Sequence, residues 1–233
     1  MSQPAVVASS AFARRGLSKA TLVYDDLRAS IIDLALKPGT RVDKHEICQR
    51  LGVSRQPLAE AVARLADDGL LDVEPQKGTF VARIRLADVA EAAFVRRALE
   101  VATAAAIAEG MEEIALKRLD RSLAYQTAAL KAKDWEVFYA LDVRFHSMLF
   151  ERIAMRRLAA AVDNARAPLE RARRLLLPTP GRTQDTLREH RAVFEALSAR
   201  DSAAAGGAMG AHLDAVLAEI KRFAARQPDL FEP

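Results

Sequence analysis

From Leu86 to Arg226 no stretch alternates between apolar and polar residues in the way a half-buried strand must. Ala-rich segments with helical spacing follow one another instead. Short breaks separate them at Glu109-Gly110, near Ala132–Asp134, near Ile153–Ala154, at Leu177–Thr183 and near Arg200-Asp201. Such a run can bury its apolar faces only against other helices, so it predicts an all-α bundle of about six. The last of them contains Gly206, Gly207 and Gly210. Each costs about 1 kcal/mol relative to Ala in a helix interior, so this helix needs tertiary contacts to hold.

The first 85 residues read differently. Residues 1–18 show no period and are expected to form a flexible tail. Apolar residues from Thr21 to Leu36 fit a helix that Pro38-Gly39 ends. Asp43, with Glu46 three positions on, can cap a short helix that Gly52 stops. Ser54 can cap the next, with Pro57 in its first turn, where a missing N–H costs little. Leu71, Val73, Phe80 and Val81 then flank the turn Pro75-Gln76-Lys77-Gly78, a small β-hairpin. The overall expectation is a mainly α fold, with a winged helix-turn-helix unit at residues 19–83 and a helical unit at 84–233.

Composition narrows the setting. With 233 residues, 51% of them hydrophobic, the chain can bury one or two domain cores. No apolar run approaches the 18 residues of a membrane span, and the lone Cys48 fits a reducing cytosol, so a cytoplasmic, membrane-free protein is expected. The net charge of +4 is evenly spread, with 12 Lys and Arg against 10 Asp and Glu in residues 1–83. Nucleic-acid binding must therefore rest on a local site.

Such a site is present. A short helix, a tight turn through Gly52-Val53 and a second helix opening on Ser54-Arg55-Gln56 make a helix-turn-helix. The second helix of that motif enters the major groove, where Arg can read guanine and Gln adenine by paired hydrogen bonds. Lys37, Arg41, Lys44, Arg50 and Arg55 outnumber Asp43 and Glu46 between Lys37 and Pro57. Lys77 and Gly78 at the hairpin tip can reach phosphates or a minor groove as a wing. The alternative for these residues is a helical hairpin with a solvated basic face. The DNA-binding set is thus Arg41, Lys44, Ser54, Arg55, Gln56, Lys77 and Gly78, with double-stranded DNA as partner. His45 is expected to be solvated, and Cys48 to be a core residue.

The runs Lys37-Pro38-Gly39-Thr40-Arg41-Val42, Leu51-Gly52-Val53-Ser54-Arg55-Gln56-Pro57-Leu58-Ala59-Glu60-Ala61 and Lys77-Gly78-Thr79-Phe80-Val81 resemble the winged-helix domain of the GntR family of bacterial transcription regulators. The resemblance implies that Arg41 and Arg55 read operator bases. Ala59 stands where the family usually has a third base-reading Arg, which implies an operator that departs from the family's consensus.

In the bundle, Asp142 and His146 are four residues apart, so their side chains share a helical face. A carboxylate and an imidazole one turn apart make a two-ligand platform for a divalent ion. His190 and His212 lie on separate expected helices that a bundle can bring to one interior point. Each His taken singly can equally be a satisfied core residue. Trp135 is expected in the core.

Asp142-Val143-Arg144-Phe145-His146, Glu189-His190 and Ala208-Met209-Gly210-Ala211-His212-Leu213 resemble the three motifs of the FCD effector-binding domain, which defines the FadR branch of the GntR family. The resemblance implies a divalent metal ion, often zinc or nickel, held by Asp142, His146, His190 and His212. Arg96, within Arg96-Arg97-Ala98-Leu99-Glu100, also matches a family position. Four ligands leave coordination positions that a small carboxylate effector can fill, with Arg96 as its expected partner and Arg171, Arg173 and Arg174 as weaker ones. The alternative for Arg96 is an i,i+4 pair with Glu100.

The expected function is a ligand-responsive regulator, a repressor that binds a two-fold symmetric operator as a homodimer. Two other readings stand beside it. One keeps DNA binding but makes the metal purely structural. The other is a metal-dependent hydrolase, against which the chain lacks an adjacent His-Asp pair.

Overall fold

The computed structural model describes residues 18–153 and 155–232. All but the last residue of the tail expected at 1–18 lies outside the described residues. The chain divides into two units after Arg83.

The first unit is built from α1 (Lys19–Ile32), α2 (Lys44–Leu51), α3 (Arg55–Asp67) and an antiparallel hairpin of β1 (Leu71–Glu74) and β2 (Gly78–Val81). Ser18 caps α1 by accepting from the Thr21 amide. The helix ends at Ile32, four residues before the Leu36 expected from periodicity. Pro38 disfavours helical dihedrals at the residue before it, and the chain leaves α1 through Leu34 in the left-handed region at φ 62°. Asp43 accepts from the amides of His45 and Glu46 and so starts α2, and Gly52 at φ 63° ends it. Ser54 occupies the cap position of α3, but its hydroxyl makes no cap hydrogen bond there.

Val23, Leu27 and Ile31 of α1 meet Ile47 of α2, Leu58, Val62 and Leu65 of α3, and Leu71 and Val81 of the hairpin in one core. Cys48 is half-buried against it. At its margin Arg50 makes a two-point pair with Asp26, and Tyr24 donates to Asp68 at 2.6 Å. On the other side of β2, Gly39–Val42 adds a third backbone run. There the Gly39 amide donates to the Val81 carbonyl and the Val42 amide to the Thr79 carbonyl, both at 2.8 Å.

The second unit begins with β3 (Ile84–Arg85), followed by α4 (Leu86–Ala108), α5 (Glu113–Ala132), α6 (Trp135–Ile153), α7 (Arg156–Leu176), α8 (Arg182–Ser198) and α9 (Ser202–Arg226). Their boundaries fall at the breaks visible in sequence. Helix α9 runs unbroken through its three glycines. Two of them face α4, where an added Cβ would sit in ordinary van der Waals contact, 3.4 Å from Ala105 at Gly206 and 3.5 Å from Val101 at Gly210. Trp135 is half-buried at the start of α6 rather than in the core.

Two apolar layers fill the bundle. One joins Ala104 and Ile107 of α4 to Leu119, Phe145, Leu149, Val193, Leu197 and Met209. The other joins Ile84, Val89 and Ala92 to Leu169, Leu176, Val216, Ile220 and Phe231. Phe231 belongs to β4 (Phe231–Glu232), which pairs in parallel with β3 and so pins the start of the unit to its end. Sequence reading missed this pair, because two-residue strands carry no period. Phe231→Ala should remove a buried ring from the second layer and lower stability by about 3 kcal/mol. Thermal unfolding of the wild type and variant, followed by circular dichroism, checks it.

Candidate metal centre and nucleic-acid face

Helix α4 shows how the bundle makes room for polar groups. Ala92, Arg96, Glu100, Ala104 and Ala108 recur every four residues on one buried face. The face changes from apolar to charged and back between the two layers. Asp142 and His146 on α6, His190 on α8 and His212 on α9 arrive at the same level, all buried. One ligand atom from each lies within 4.8 Å of those of the other three.

The imidazoles are oriented from behind. His190 Nδ1 lies 2.9 Å from the Gln126 amide oxygen, and His212 Nδ1 lies 2.8 Å from Glu189 Oε2. His146 Nδ1 is 2.6 Å from Glu100 Oε2, close enough for an ion pair though off the line of a hydrogen bond. With every Nδ1 facing an acceptor, the Nε2 lone pairs point inward. His146 Nε2 and His212 Nε2 are 3.3 Å apart, and His190 Nε2 is 3.6 Å from Asp142 Oδ1. His190 Nε2 has no hydrogen-bond partner. The 3.3 Å separation suits two nitrogens that each lie about 2.0–2.1 Å from a shared ion. The four side chains therefore fit a divalent metal.

Behind the inner ring stands a ring of arginines. Arg96 Nε donates to Glu100 Oε1 at 2.6 Å, which is the i,i+4 pair that the sequence offered as the alternative for Arg96. Arg182 donates to Glu189 at 2.6 Å. Arg173 donates to Asp142 Oδ2 and lies 5.3 Å from the Tyr139 ring.

Electrostatics follow from these pairs. Burial pushes the Asp142 carboxyl up, but Arg173 and the imidazoles override it and hold the group far below the usual carboxylate range. Burial also pushes Glu100 up, and Arg96 and His146 bring it down. For Glu189, His212 and Arg182 likewise outweigh burial. Burial holds His146 down to about 4, and burial with His212 nearby depresses His190. Both imidazoles are thus neutral near pH 7, the form that binds metal without first losing a proton.

Glu100, Gln126, Glu189 and Arg182 are functional-site residues that sequence reading did not select. The signals were present. Glu100 and Gln126 interrupt otherwise apolar helix faces, and Arg182 precedes Thr186 and Glu189 by four and seven residues. A narrow cavity opens beside Asp142 and is lined by Arg173, Arg182, Thr183, Thr186, Leu176 and Val216 among others. Arg96 is not among its lining.

In the first unit, Ser54, Arg55 and Gln56 are exposed at the opening turn of α3. Arg41, Lys44, His45 and Gly78 line a shallow groove at the other edge. The backbone of Arg41 bridges to that of Phe80 in β2, and the Arg41 side chain lies beside Gly78 of the wing. Lys77 is exposed at the wing tip and pairs with Glu74 at 3.0 Å. Arg41, Lys44 and Gly78 are brought together; Arg55 and Gln56 form a separate face.

Residues 19–81 match the family described as bacterial regulatory proteins, gntR family, and residues 91–215 match the FCD domain. The chain belongs to the GntR family and carries an FCD domain. Among curated relatives of this regulator is the HTH-type transcriptional repressor RspR of Escherichia coli (strain K12), 31% identical over 90% of this chain and 92% of the relative. An uncharacterized HTH-type regulator from an unstable DNA locus of Streptomyces ambofaciens is 34% identical over 90% of this chain and 88% of its own. A crystal structure of a GntR transcriptional regulator from Rhodococcus sp. RHA1 superposes with a TM-score of 0.73 at 26% identity, covering 88% of this chain and 98% of that one. The family and these relatives are transcription regulators rather than enzymes, and the chain is a DNA-binding regulator of that family. No helix among the described residues is long and apolar enough to cross a membrane.

Gly78 has φ 139°, in the region that favours glycine, and a Cβ there would stand 3.0 Å from Arg41 Nε. Gly78→Ala should strain the wing by about 1–3 kcal/mol and push Arg41 off its place. Fluorescence-anisotropy titration should show weaker DNA binding, while circular dichroism shows the helices intact.

Proposed function

We propose that the chain is a cytoplasmic, homodimeric repressor whose grip on a two-fold symmetric operator is released by a small carboxylate at a divalent metal ion, zinc or nickel. Residues 19–83 bind DNA. Residues 84–233 hold metal and effector and form the dimer. The observation that carries the reading is the inward convergence of Asp142 and three imidazoles whose outer nitrogens already face acceptors. The name of the Escherichia coli relative, a repressor, supports the sign of regulation. Dimerisation follows from the symmetry that paired half-sites require.

A bound divalent ion would supply a Lewis-acidic centre with coordination positions left for a carboxylate oxygen. The chain's own residues do the rest. Gln126 and Glu189 fix the tautomers of His190 and His212, Glu100 stands as the ion-pair partner behind His146, and Arg173 fixes the carboxylate of Asp142. Arg96 and Arg173 stand as the effector-facing arginines: Arg96 is paired with Glu100 behind His146, and Arg173, paired with Asp142, lines the cavity beside it. Closure over the effector must favour the DNA-releasing state, since a ligand shifts only an equilibrium whose two states it binds unequally. A coupling of about 1–3 kcal/mol would change operator affinity roughly 5- to 150-fold. On the DNA side, Arg41, Arg55 and Gln56 read bases. Lys44, Ser54, Lys77 and Gly78 serve groove and phosphate contacts.

Two experiments test this. Glu189→Gln should weaken zinc binding about 10- to 100-fold in a chelator competition, as loss of an outer partner does, and His190→Ala should weaken it further. Both should leave DNA binding intact, and unchanged zinc affinity in both would remove the metal from the function. Arg55→Ala should cost about 1–3 kcal/mol per half-site and relax one base position, and Ala59→Arg should change base preference. Selection of binding sites from a random DNA pool reads both, and an unaltered profile for either would refute the assigned readout.

A further inference from the structure

Along the chain, a single residue separates the anchored backbones of the two units. Ala82 still belongs to the first: it is buried, and its amide donates to the Leu70 carbonyl at 3.0 Å. Ile84 already belongs to the second, where it is buried and pairs with Phe231. Only the exposed Arg83 lies between these two positions.

The second anchor is not local. Ile84 and Arg85 precede α4, and Arg85 gives that helix no side-chain cap. What holds them arrives after the last helix. A 3-10 turn at Pro228–Leu230 follows α9 and delivers Phe231 and Glu232 beside them as β4. Phe231 joins the buried layer of Ile84, Val89, Leu169 and Ile220 and meets the Phe223 ring edge-on at 6.1 Å. Glu232 lies 3.7 Å from the Arg85 guanidinium.

Two-residue strands share few backbone hydrogen bonds, so this contact rests mostly on one buried ring. Opening it leaves α4 to start at Leu86 and lengthens the free joint from Arg83 alone to Arg83, Ile84 and Arg85. Each freed residue regains two soft backbone dihedrals. Once one half-site is bound, the effective concentration of the other winged unit at its own half-site falls as roughly the −3/2 power of joint length, about fivefold for this change.

We propose that β4 is a clasp that sets the length of the joint between the two units and thereby how strongly two half-sites are gripped together. It rests on the dimeric-operator reading above.

The test compares the full chain with two variants. One is stopped after Leu230, which removes β4. The other keeps the clasp and carries two glycines inserted between Arg83 and Ile84. The probes are a duplex recovered by selection from a random DNA pool and the same duplex with one half scrambled. By fluorescence anisotropy, both variants should bind the intact duplex about fivefold more weakly than the full chain does, and the half-scrambled duplex equally well. In the truncated chain trypsin should also cleave faster after Arg85, while circular dichroism shows the helices intact. The glycine variant leaves the second unit unaltered, so it decides the matter whatever the truncation does to folding. If it binds the intact duplex undiminished, or is weakened equally on both duplexes, the inference is overturned. An unchanged rate of cleavage after Arg85 in the truncated chain overturns it too. A full chain that binds both duplexes alike refutes the dimeric reading, and this inference with it.

Discussion

Charged side chains buried in an Ala-rich bundle persist only when each meets a partner, and the second unit is organised around three such meetings. Arg96 with Glu100 within α4, Arg182 with Glu189 within α8, and Arg173 of α7 with Asp142 of α6 set charges against one another. Removing one member of such a pair would leave its partner buried and unpaired, which is far costlier than the pair is stabilising. The pairs are therefore weak evidence of stability and strong evidence of positioning. Two of them end on an imidazole, and the third ends on the carboxylate that faces those imidazoles.

The apolar layers on either side give this polar centre its rigidity. On α4 the buried face runs from Val89 and Ala92 in one layer, through Arg96 and Glu100, to Ala104 and Ile107 in the other. Helix α9 runs the opposite way, from Ala205 and Met209 past His212 to Val216 and Ile220. From α9, His212 places its Nε2 3.3 Å from that of His146 on α6. The layer that includes Leu169, Ala172 and Leu176 also holds the helix bearing Arg173, and it extends to Ile84 and Phe231. The polar centre and the start of the unit thus share one packed neighbourhood. Close-packed interiors transmit small shifts instead of absorbing them.

In the winged unit the same division between scaffold and function holds at smaller scale. The core of α1, α2, α3 and the hairpin fixes where the exposed Arg55 and Gln56 stand, and none of the DNA-binding candidates contributes to that core. Arg41 owes its place to backbone pairing of Gly39–Val42 with β2 and to the absence of a side chain at Gly78. Ala59, exposed on α3, presents a methyl group where the family usually presents a guanidinium.

The sequence by itself determined the elements, because caps, breakers and periodicity are local. Asp43 and Gly52 bound α2, Pro75 to Gly78 turn the hairpin, and Glu109-Gly110 and Arg200-Asp201 separate helices. It also determined that Asp142 and His146 share a face, since four residues make about one helical turn. Convergence of His190 and His212 on that face was suggested by family resemblance, whereas their spacing alone left it open. The spacings of Arg96 to Glu100 and of Arg182 to Glu189 were local, but tertiary structure decided that these pairs stand behind the imidazoles. Whether Arg96 meets Glu100 in the interior, whether Arg173 reaches Asp142, and whether Arg182 stands behind His212 all depend on helix rotation and on how the helices pack. The β3–β4 pair, joining residues almost 150 positions apart, was equally beyond local reading. Long-range partners are chosen by which buried charges can neutralise one another once the helices pack, and no local pattern encodes that choice.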